Sequence, residues 1–367
     1  MTRVLVSGVV LDQAVGGVRR HNQELLPRVA NLLDQAGGEL AILAPRNGLA
    51  FDPGPQVRVV ASSTPSSPPL LRGLIESKNL AGELRAAEER GEPYQLVHAA
   101  HLPAPRLPKP LATSVRRTHT VHDLRSLEQG TASSLHRLLA KPALAQAFAG
   151  THRVFTVSET VRAQVLEQFG VEPERCVVIP NAGDHLAPLA RRPHTDSPIL
   201  HVGHVEPRKN LERLIQALAL APDLPPLLLA GAAKGAEAER LTYFARERGV
   251  GDRVRLLGGV TDEELRELYA EAACVAIPSQ LEGFGIGVLE AQLAGVPLAV
   301  SSAGALPEVA GMDTPQFSAF SAEECVHALR KALELSPEEL DRARERARRF
   351  SWDASAKRLY EELVAPS

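Results

Sequence analysis

The stretch ACVAIPSQLEGFGIGVLEA, residues 273–291, decides how the chain is read. Its first part is a continuous apolar run closed by Pro278, the pattern of a strand buried on both faces. Gly283 and Gly285 then favour a loop, and a helix is expected over about 286–294. A strand passing through a glycine loop into a helix is half of a parallel α/β unit. Two carboxylates, Glu282 and Glu290, interrupt these apolar surroundings. Charges are rarely buried unless they are paired. Glu282 lies before the expected helix and Glu290 inside it, so their spacing straddles a junction and does not follow a helical period. Either one acid stabilises its own helix and the other sits on the surface, or both face one crevice at the strand's carboxyl end.

Outward from this stretch the same alternation recurs. Apolar runs at 3–10, 39–44, 57–61, 94–100, 153–158 and 175–180 read as strands, as do 199–204, 226–231, 253–258 and 296–301. Helical stretches such as 210–220, 236–248 and 262–272 lie between them. Strands alternating with helices indicate parallel, doubly wound sheets. Residues 180–198 are rich in Pro and polar residues without periodicity and read as a linker. A length of 367 residues fits two domains, expected at 1–180 and 181–350.

Composition narrows the function class. Hydrophobic residues are 44% and charged residues 23% of the chain, ordinary for a globular protein with two cores. The net charge of -3 argues against a nucleic-acid binder. Residues 1–180 hold 20 Lys/Arg against 16 Asp/Glu, and the remainder 21 against 28. A mildly basic first half either meets an anionic lipid or substrate or reflects scattered surface charge. Cys176, Cys274 and Cys325 have no metal or redox spacing, which suggests a reduced, cytoplasmic protein. No apolar stretch has the length of a signal peptide or membrane span, which leaves peripheral membrane contact open.

Neither a G-x-G-x-x-G turn after the first strand nor a Walker pattern is present, which disfavours a hydride-transferring enzyme. Gly16-Gly17, between the first strand and a helix expected near Val18, makes either a tight turn or a close backbone approach to a ligand. Arg208 and Lys209 precede a helix expected near Asn210. Cations are unfavourable at that helix end, so they form either a solvated basic turn or a polyphosphate site. Amides near Phe284 and Gly285 would be free donors at a helix start. Two carboxylates flanking a phosphate-binding amide cluster suit a ligand with hydroxyls on both sides of a diphosphate, the layout of a nucleotide-sugar.

Five segments in order, GGVRRH (16–21), HDL (122–124), VGHVEPRKNL (202–211), EGFGIGVLEA (282–291) and FSWDASAKRLY (350–360), resemble retaining glycosyltransferases of family 4. VSET (157–160), VIPNAG (178–183) and ALPEV (305–309) support the resemblance, which spans nearly the whole chain and is nearest to mannosyltransferase-like members. It implies an α/β GT-B fold: two doubly wound Rossmann-like domains with a donor cleft between them and a tail helix, about 351–367, packed back on the first. It implies that Gly16 and Gly17 approach the donor phosphate or sugar. Arg208 and Lys209 neutralise the diphosphate, and Glu282 holds hydroxyls of the transferred sugar near the amides of Phe284 and Gly285. Glu290 binds the ribose diol, Val260 lies by the nucleobase, and His122 sits at the reacting centre. Trp352 would be a packing anchor.

The implied donor is GDP-mannose or a UDP-sugar, used without a metal cofactor, and the acceptor a glycan, lipid or small molecule bearing a hydroxyl. Retention would come from same-face attack, with the departing phosphate helping to remove the acceptor proton. The acceptor is expected at loops near 12–20, 62–72 and 101–130, where Arg19, Arg20, Arg116 and Arg117 either meet an anionic group or stay solvated. The chain departs from the family at Gly287, where Pro is common, at Asn181-Ala182 in place of Asn-Gly, and over 311–324. A GT-B phosphorylase, a sucrose- or trehalose-type synthase, and a nucleotide-sugar-binding protein without turnover are the competing readings.

Overall fold

Continuous apolar runs become the inner strands of two parallel sheets. The computed structural model describes residues 2–12, 16–65, 69–101, 107, 115–124, 127, 134–186 and 189–365. The chain divides into two compact units, Met1–Pro180 with Asp353–Ser367, and Asn181–Trp352. In the first, the strands are β1 (Arg3–Ser7), β2 (Glu39–Leu43), β3 (Val57–Val60), β4 (Leu96–Ala99), β5 (Arg116–Val121), β6 (Arg153–Thr156) and β7 (Cys176–Val178). They lie in the order β3-β2-β1-β4-β5-β6-β7. The second unit holds β8 (Ile199–Val202), β9 (Leu227–Ala230), β10 (Val254–Gly258), β11 (Cys274–Ile277), β12 (Leu298–Ser301) and β13 (Gln316–Phe317). Their order is β10-β9-β8-β11-β12-β13. Among the described residues the strand pairings of both sheets are parallel, from Val4 beside Leu40 and Leu96 to Leu200 beside Leu228 and Val275.

Helices cover the sheets for the reason the sequence pattern suggests. In helix Glu212–Leu220, Leu214, Ile215 and Leu218 share one face and bury it against Leu227 and Leu229. Helix Ala322–Leu333 adds Cys325 and Leu329 to that core. Each fully buried Leu or Ile stabilises by about 1.5–3 kcal/mol. Each sheet reverses its winding between two central neighbours, β1 and β4 in the first unit and β8 and β11 in the second. Open parallel sheets bind ligands outside the carboxyl ends of their strands at such a point.

Two strands lie outside the apolar pattern. β5, RRTHTV, is polar yet central, because its side chains bond to neighbours. Thr118 and Thr120 Oγ1 lie 2.9 and 3.2 Å from the two ring nitrogens of His98. β13 has two residues, too few for any periodicity. The expected linker is also more ordered than its composition suggests: Asn181, Ala182 and Gly183 are buried and lead into a 3-10 turn, Asp184–Leu186.

The last helix, Trp352–Val364, begins in the second unit and continues in the first. There Arg28 pairs with Asp353 at 2.7 Å and Arg153 with Glu362 at 3.2 Å. Arg116 donates to the carbonyls of Leu363, at 3.2 Å, and Ala365, at 2.5 Å. Arg116 therefore satisfies the end of this helix instead of standing as a solvated cation, an arrangement favoured at helix C-termini. Among the described residues, no helix is long and apolar enough to cross a membrane.

Candidate active site

The loops after β8 and β11 meet at the switch point of the second sheet. After β8 the chain forms a 3-10 turn, Pro207–Lys209, and then Asn210 with φ 55°. The α-helix starts only at Glu212. The expectation of a helix beginning near Asn210 is thus corrected: Arg208 and Lys209 belong to a separate turn, and the first helical turn carries an acid, Glu212. Asn tolerates the left-handed region better than most residues. Its side-chain amide here donates to the carbonyls of Pro278 at 3.0 Å and Ala319 at 2.8 Å, which fixes the loop.

The loop after β11 is bonded to the first. Gln280 N donates to the Arg208 carbonyl at 2.9 Å. Ser279 Oγ donates to Glu282 Oε1 at 2.8 Å, and Ser301 Oγ holds the Ser279 carbonyl at 2.5 Å. The Glu282 carbonyl accepts from Ala305 N at 2.9 Å. Gly304, at φ 58°, makes that approach possible, since a Cβ there would lie 2.3 Å from the Glu282 carbonyl oxygen.

Glu282 is 9% exposed. Lys209 Nζ contacts its Oε1, and Arg208 Nη1 lies 3.3 Å from its Oε2. Burial alone would raise the pKa of this carboxyl, but Lys209 and Arg208 outweigh it and bring it to about 2. Arg208 Nε also lies 2.7 Å from Glu206 Oε1, and Lys234 Nζ lies 2.6 Å from Glu206 Oε2. Burial opposes ionisation of Glu206 too, and Lys234 and Arg208 again prevail and lower its pKa. Beneath them, burial holds the His201 imidazole down at about 4, while its Nδ1 lies 2.9 Å from the Ala276 carbonyl. The resulting chain of three cations and two carboxylates is anchored on both loops.

Helix Ile286–Ala294 starts from Gly285, which offers no side-chain cap to the first amides. Phe284 is buried edge-on against Phe350 at 5.9 Å. Glu290, four residues into the helix, is 7% exposed. Its Oε2 accepts from Tyr269 Oη at 2.7 Å, and its Oε1 lies 3.2 Å from His185 Nε2. Val260 is half-buried, two residues past the end of β10 and just before Thr261, which caps helix Asp262–Glu271.

In the first unit, Gly16, at φ 126°, precedes helix Gly17–Gln35. His122 directly follows β5 and stands edge-on to His21 of that helix, with ring centroids 4.7 Å apart. The GGVRRH and HDL segments are therefore neighbours in space. Arg19 donates to the Ala50 carbonyl at 3.2 Å and Arg20 lies 3.4 Å from Glu24, so both have partners within the chain. Residues 13–15, 66–68, 102–106, 108–114, 125–126 and 128–133, which hold much of the expected acceptor surface, lie outside the described residues.

Sequence reading did not single out Glu206, Lys234, Tyr269, His185 or His201. Glu206 was within view beside Pro207. Lys234 follows β9 in AGAAKG, and only the β8–β9 pairing brings it to Glu206. In the first unit, Glu76 was also missed: it is fully buried, accepts from Ser7 Oγ at 2.5 Å, and has His101 Nε2 3.7 Å away.

The family model "Glycosyltransferase Family 4" matches residues 15–185, and "Glycosyl transferases group 1" matches 190–350. The chain is 29% identical over 366 residues to O-antigen chain mannosyltransferase B of Escherichia coli, covering 92% of this chain and 93% of that one. It is 32% identical over 231 residues to the MMP alpha-(1->4)-mannosyltransferase of Mycolicibacterium hassiacum, covering 58% of this chain and 54% of that one. Among solved structures, sucrose-phosphate synthase of Thermosynechococcus elongatus superposes with a TM-score of 0.81 at 21% identity over 100% of both chains, a likeness of fold.

Proposed function

The chain belongs to glycosyltransferase family 4, and on that premise we propose that it transfers mannose from GDP-mannose to a hydroxyl of a growing glycan. Family membership makes it a retaining hexosyltransferase of the GT-B fold with a nucleotide-sugar donor. Mannose is favoured because two relatives are named as mannosyltransferases, and a glycan acceptor because one of them is named for an O-antigen chain.

The observation that carries the reading is the junction of Arg208, Lys209 and Glu282 at the β8/β11 switch point. When the bond from the sugar's anomeric carbon to the diphosphate breaks, negative charge builds on the leaving oxygen. Arg208 and Lys209 take up that charge, assisted by the first amides of helix Ile286–Ala294 near Phe284 and Gly285. The acceptor oxygen bonds to the anomeric carbon on the same face, and its proton passes to the departing phosphate. Glu282, ionised and fixed, accepts from hydroxyls of the sugar. Glu290 takes the ribose diol, and Val260 borders the base. In the first unit, the family resemblance assigns Gly16, Gly17 and His122 to the donor's phosphate and sugar. The two cations supply the charge that a metal ion would otherwise bring, so transfer is expected to persist in a chelator.

A thermal-shift panel of nucleotide-sugars tests the donor, because a ligand that binds only the native state raises stability by roughly 2.7 kcal/mol at a hundred times its Kd. GDP-mannose is expected to give the largest shift. A larger shift with UDP-glucose and none with GDP-mannose would overturn this donor assignment.

A further inference from the structure

Lys234 follows β9 and joins the charges of the switch point from a third loop. Its backbone is fixed first. Val205 N donates to the Ala232 carbonyl and Lys234 N to the Val205 carbonyl, both at 3.0 Å. The bridge between Val205 and Ala233 thus carries the parallel pairing of β8 and β9 past the strand ends. The two segments press together at glycines, since a Cβ on Gly231 would collide with the Gly203 carbonyl oxygen. Gly231 N also donates to the Gly258 carbonyl at 2.7 Å, which ties in the end of β10.

The side chain completes an alternating row of charges. Lys234 Nζ donates to Glu206 Oε2 at 2.6 Å, and Glu206 Oε1 pairs with Arg208 Nε at 2.7 Å. Arg208 Nη1 then lies 3.3 Å from Glu282 Oε2, and Lys209 contacts Glu282 Oε1. Each carboxylate stands between two cations and holds together like charges that would otherwise repel. With three cations against two carboxylates, the row is left positive. Its two ends differ. The Lys209 side chain is 12% exposed, whereas that of Lys234 is 51% exposed. An ammonium has three donors, and Glu206 takes one from Lys234. Lys234 is therefore the end of the row that is both held in place and open to an incoming anion.

Strand order identifies the anion. β9 lies between β10 and β8. In the proposed function Val260, after β10, borders the base, and Arg208 and Lys209, after β8, meet the leaving phosphate. Lys234 falls between these positions, at the level of the phosphate joined to the nucleoside. We propose that Lys234 is a donor-binding residue that contacts this inner phosphate, with Glu206 as the counter-charge that holds it there. This rests on the reading that the switch point binds a nucleotide-sugar through Arg208, Lys209 and Val260. The inner phosphate keeps its charge when the sugar leaves, so the contact is equally strong before and after the bond breaks. Lys234 then contributes to donor affinity and not to the chemical step, whereas Arg208 and Lys209 act on the charge that develops in that step.

The test measures calorimetric binding of GDP and GMP, with UDP and UMP alongside, to the whole enzyme and to its Lys234→Met, Lys234→Gln, Glu206→Gln and Lys234→Met/Glu206→Gln variants. Lys234→Met and Lys234→Gln should weaken the diphosphate and the monophosphate alike, each by roughly fivefold or more, the scale of one charge-assisted contact discounted for solvent exposure. In kinetics the KM for the donor should rise by a similar factor while kcat stays within about twofold. A fall in kcat at unchanged KM would overturn the proposal. Loss confined to the diphosphate would place Lys234 on the outer phosphate, and no loss with either nucleotide would leave it a surface ion pair; both results overturn it as well. So does a wild type that binds the diphosphate and not the monophosphate. A lysine that serves only to neutralise Glu206 becomes dispensable once that carboxylate is gone. The double variant is therefore expected to bind at least about threefold more weakly than Glu206→Gln alone, and equal affinities would overturn the proposal. A wild type that binds neither GDP nor UDP removes the underlying donor reading instead.

Discussion

Glu282 shows how a carboxylate can remain charged where burial disfavours it. Two cations and a serine hydroxyl hold its pKa near 2, so it is ionised throughout the range in which an enzyme would work. On the proposed function its part in transfer is that of a hydrogen-bond acceptor of fixed position, and an acid limb in the rate profile is then expected from another group. It also pairs with Arg208 and Lys209, the two cations that the proposed function assigns to the diphosphate. Glu282→Gln is therefore expected to reduce transfer by roughly a hundredfold or more, the scale of losing a positioned polar group in a closed site. Affinity for the nucleoside diphosphate without its sugar should hold or rise, since Lys209 and Arg208 are released and a like charge is removed. Kinetics with calorimetry on the same variant separates the effects, and diphosphate affinity falling in step with transfer would place Glu282 on the phosphate instead. The carboxylate pair was legible in the sequence because charge is conspicuous in an apolar run. Its partners were not all legible: Lys234 has no motif and meets Glu206 only through strand pairing.

At the scale of the element, the site consists of two loops bonded to each other. Arg208→Ala with Lys209→Ala removes the positive face of that pair and is expected to weaken nucleoside diphosphate binding by ten- to a hundredfold, about 1.4–2.8 kcal/mol. Chelation is expected to change neither wild-type binding nor transfer, and activity that vanishes in EDTA and returns with a divalent cation would refute this charge assignment. Gly304 tests the loop itself. An alanine there meets both an unfavourable φ and the Glu282 carbonyl, so Gly304→Ala should destabilise by more than about 1 kcal/mol and lower transfer without touching a charged group. Unaltered melting and turnover would show that the Glu282 loop shifts freely. The junction at 273–291 was readable because a short apolar run ended by Pro278 and the loop glycines that follow it act locally. The start of helix Glu212–Leu220 was not, because Asn210 is held in a left-handed conformation by the carbonyls of Pro278 and Ala319, far along the chain. β5 was missed for a related reason: its threonines bond to His98 of β4 and its histidine, His119, to Thr151 just before β6, so its burial leaves no apolar signature.

For the whole molecule, the same buried histidines set the response to acid. His98 and His119 lie in the first sheet and His201 in the second, all buried. Burial lowers His98 to about 3, with neighbouring histidines acting in the same direction. Burial likewise lowers His119 and His201 to about 4, against weaker support from backbone carbonyls. Each is neutral when folded, whereas the unfolded chain takes up a proton at each near pH 6.5. Below that pH the unfolded state binds more protons, so stability falls as pH falls, and the loss from each histidine ends only near its folded pKa. At pH 5 the loss is about 2 kcal/mol for each of the three, together comparable with the 5–15 kcal/mol that typically separates folded from unfolded states. Glu282 acts in the same direction at lower pH, because its stabilising charge is present above about 4.5 and lost towards 2. Both units carry such a histidine, so unfolding in urea at pH 7.5, 6.5, 5.5 and 5.0 is expected to shift every resolved transition to lower denaturant. A midpoint unchanged between pH 7.5 and 5.0 would mean that these histidines are solvated or protonated in the folded protein, contrary to the buried hydrogen bonds that hold β5 and β8.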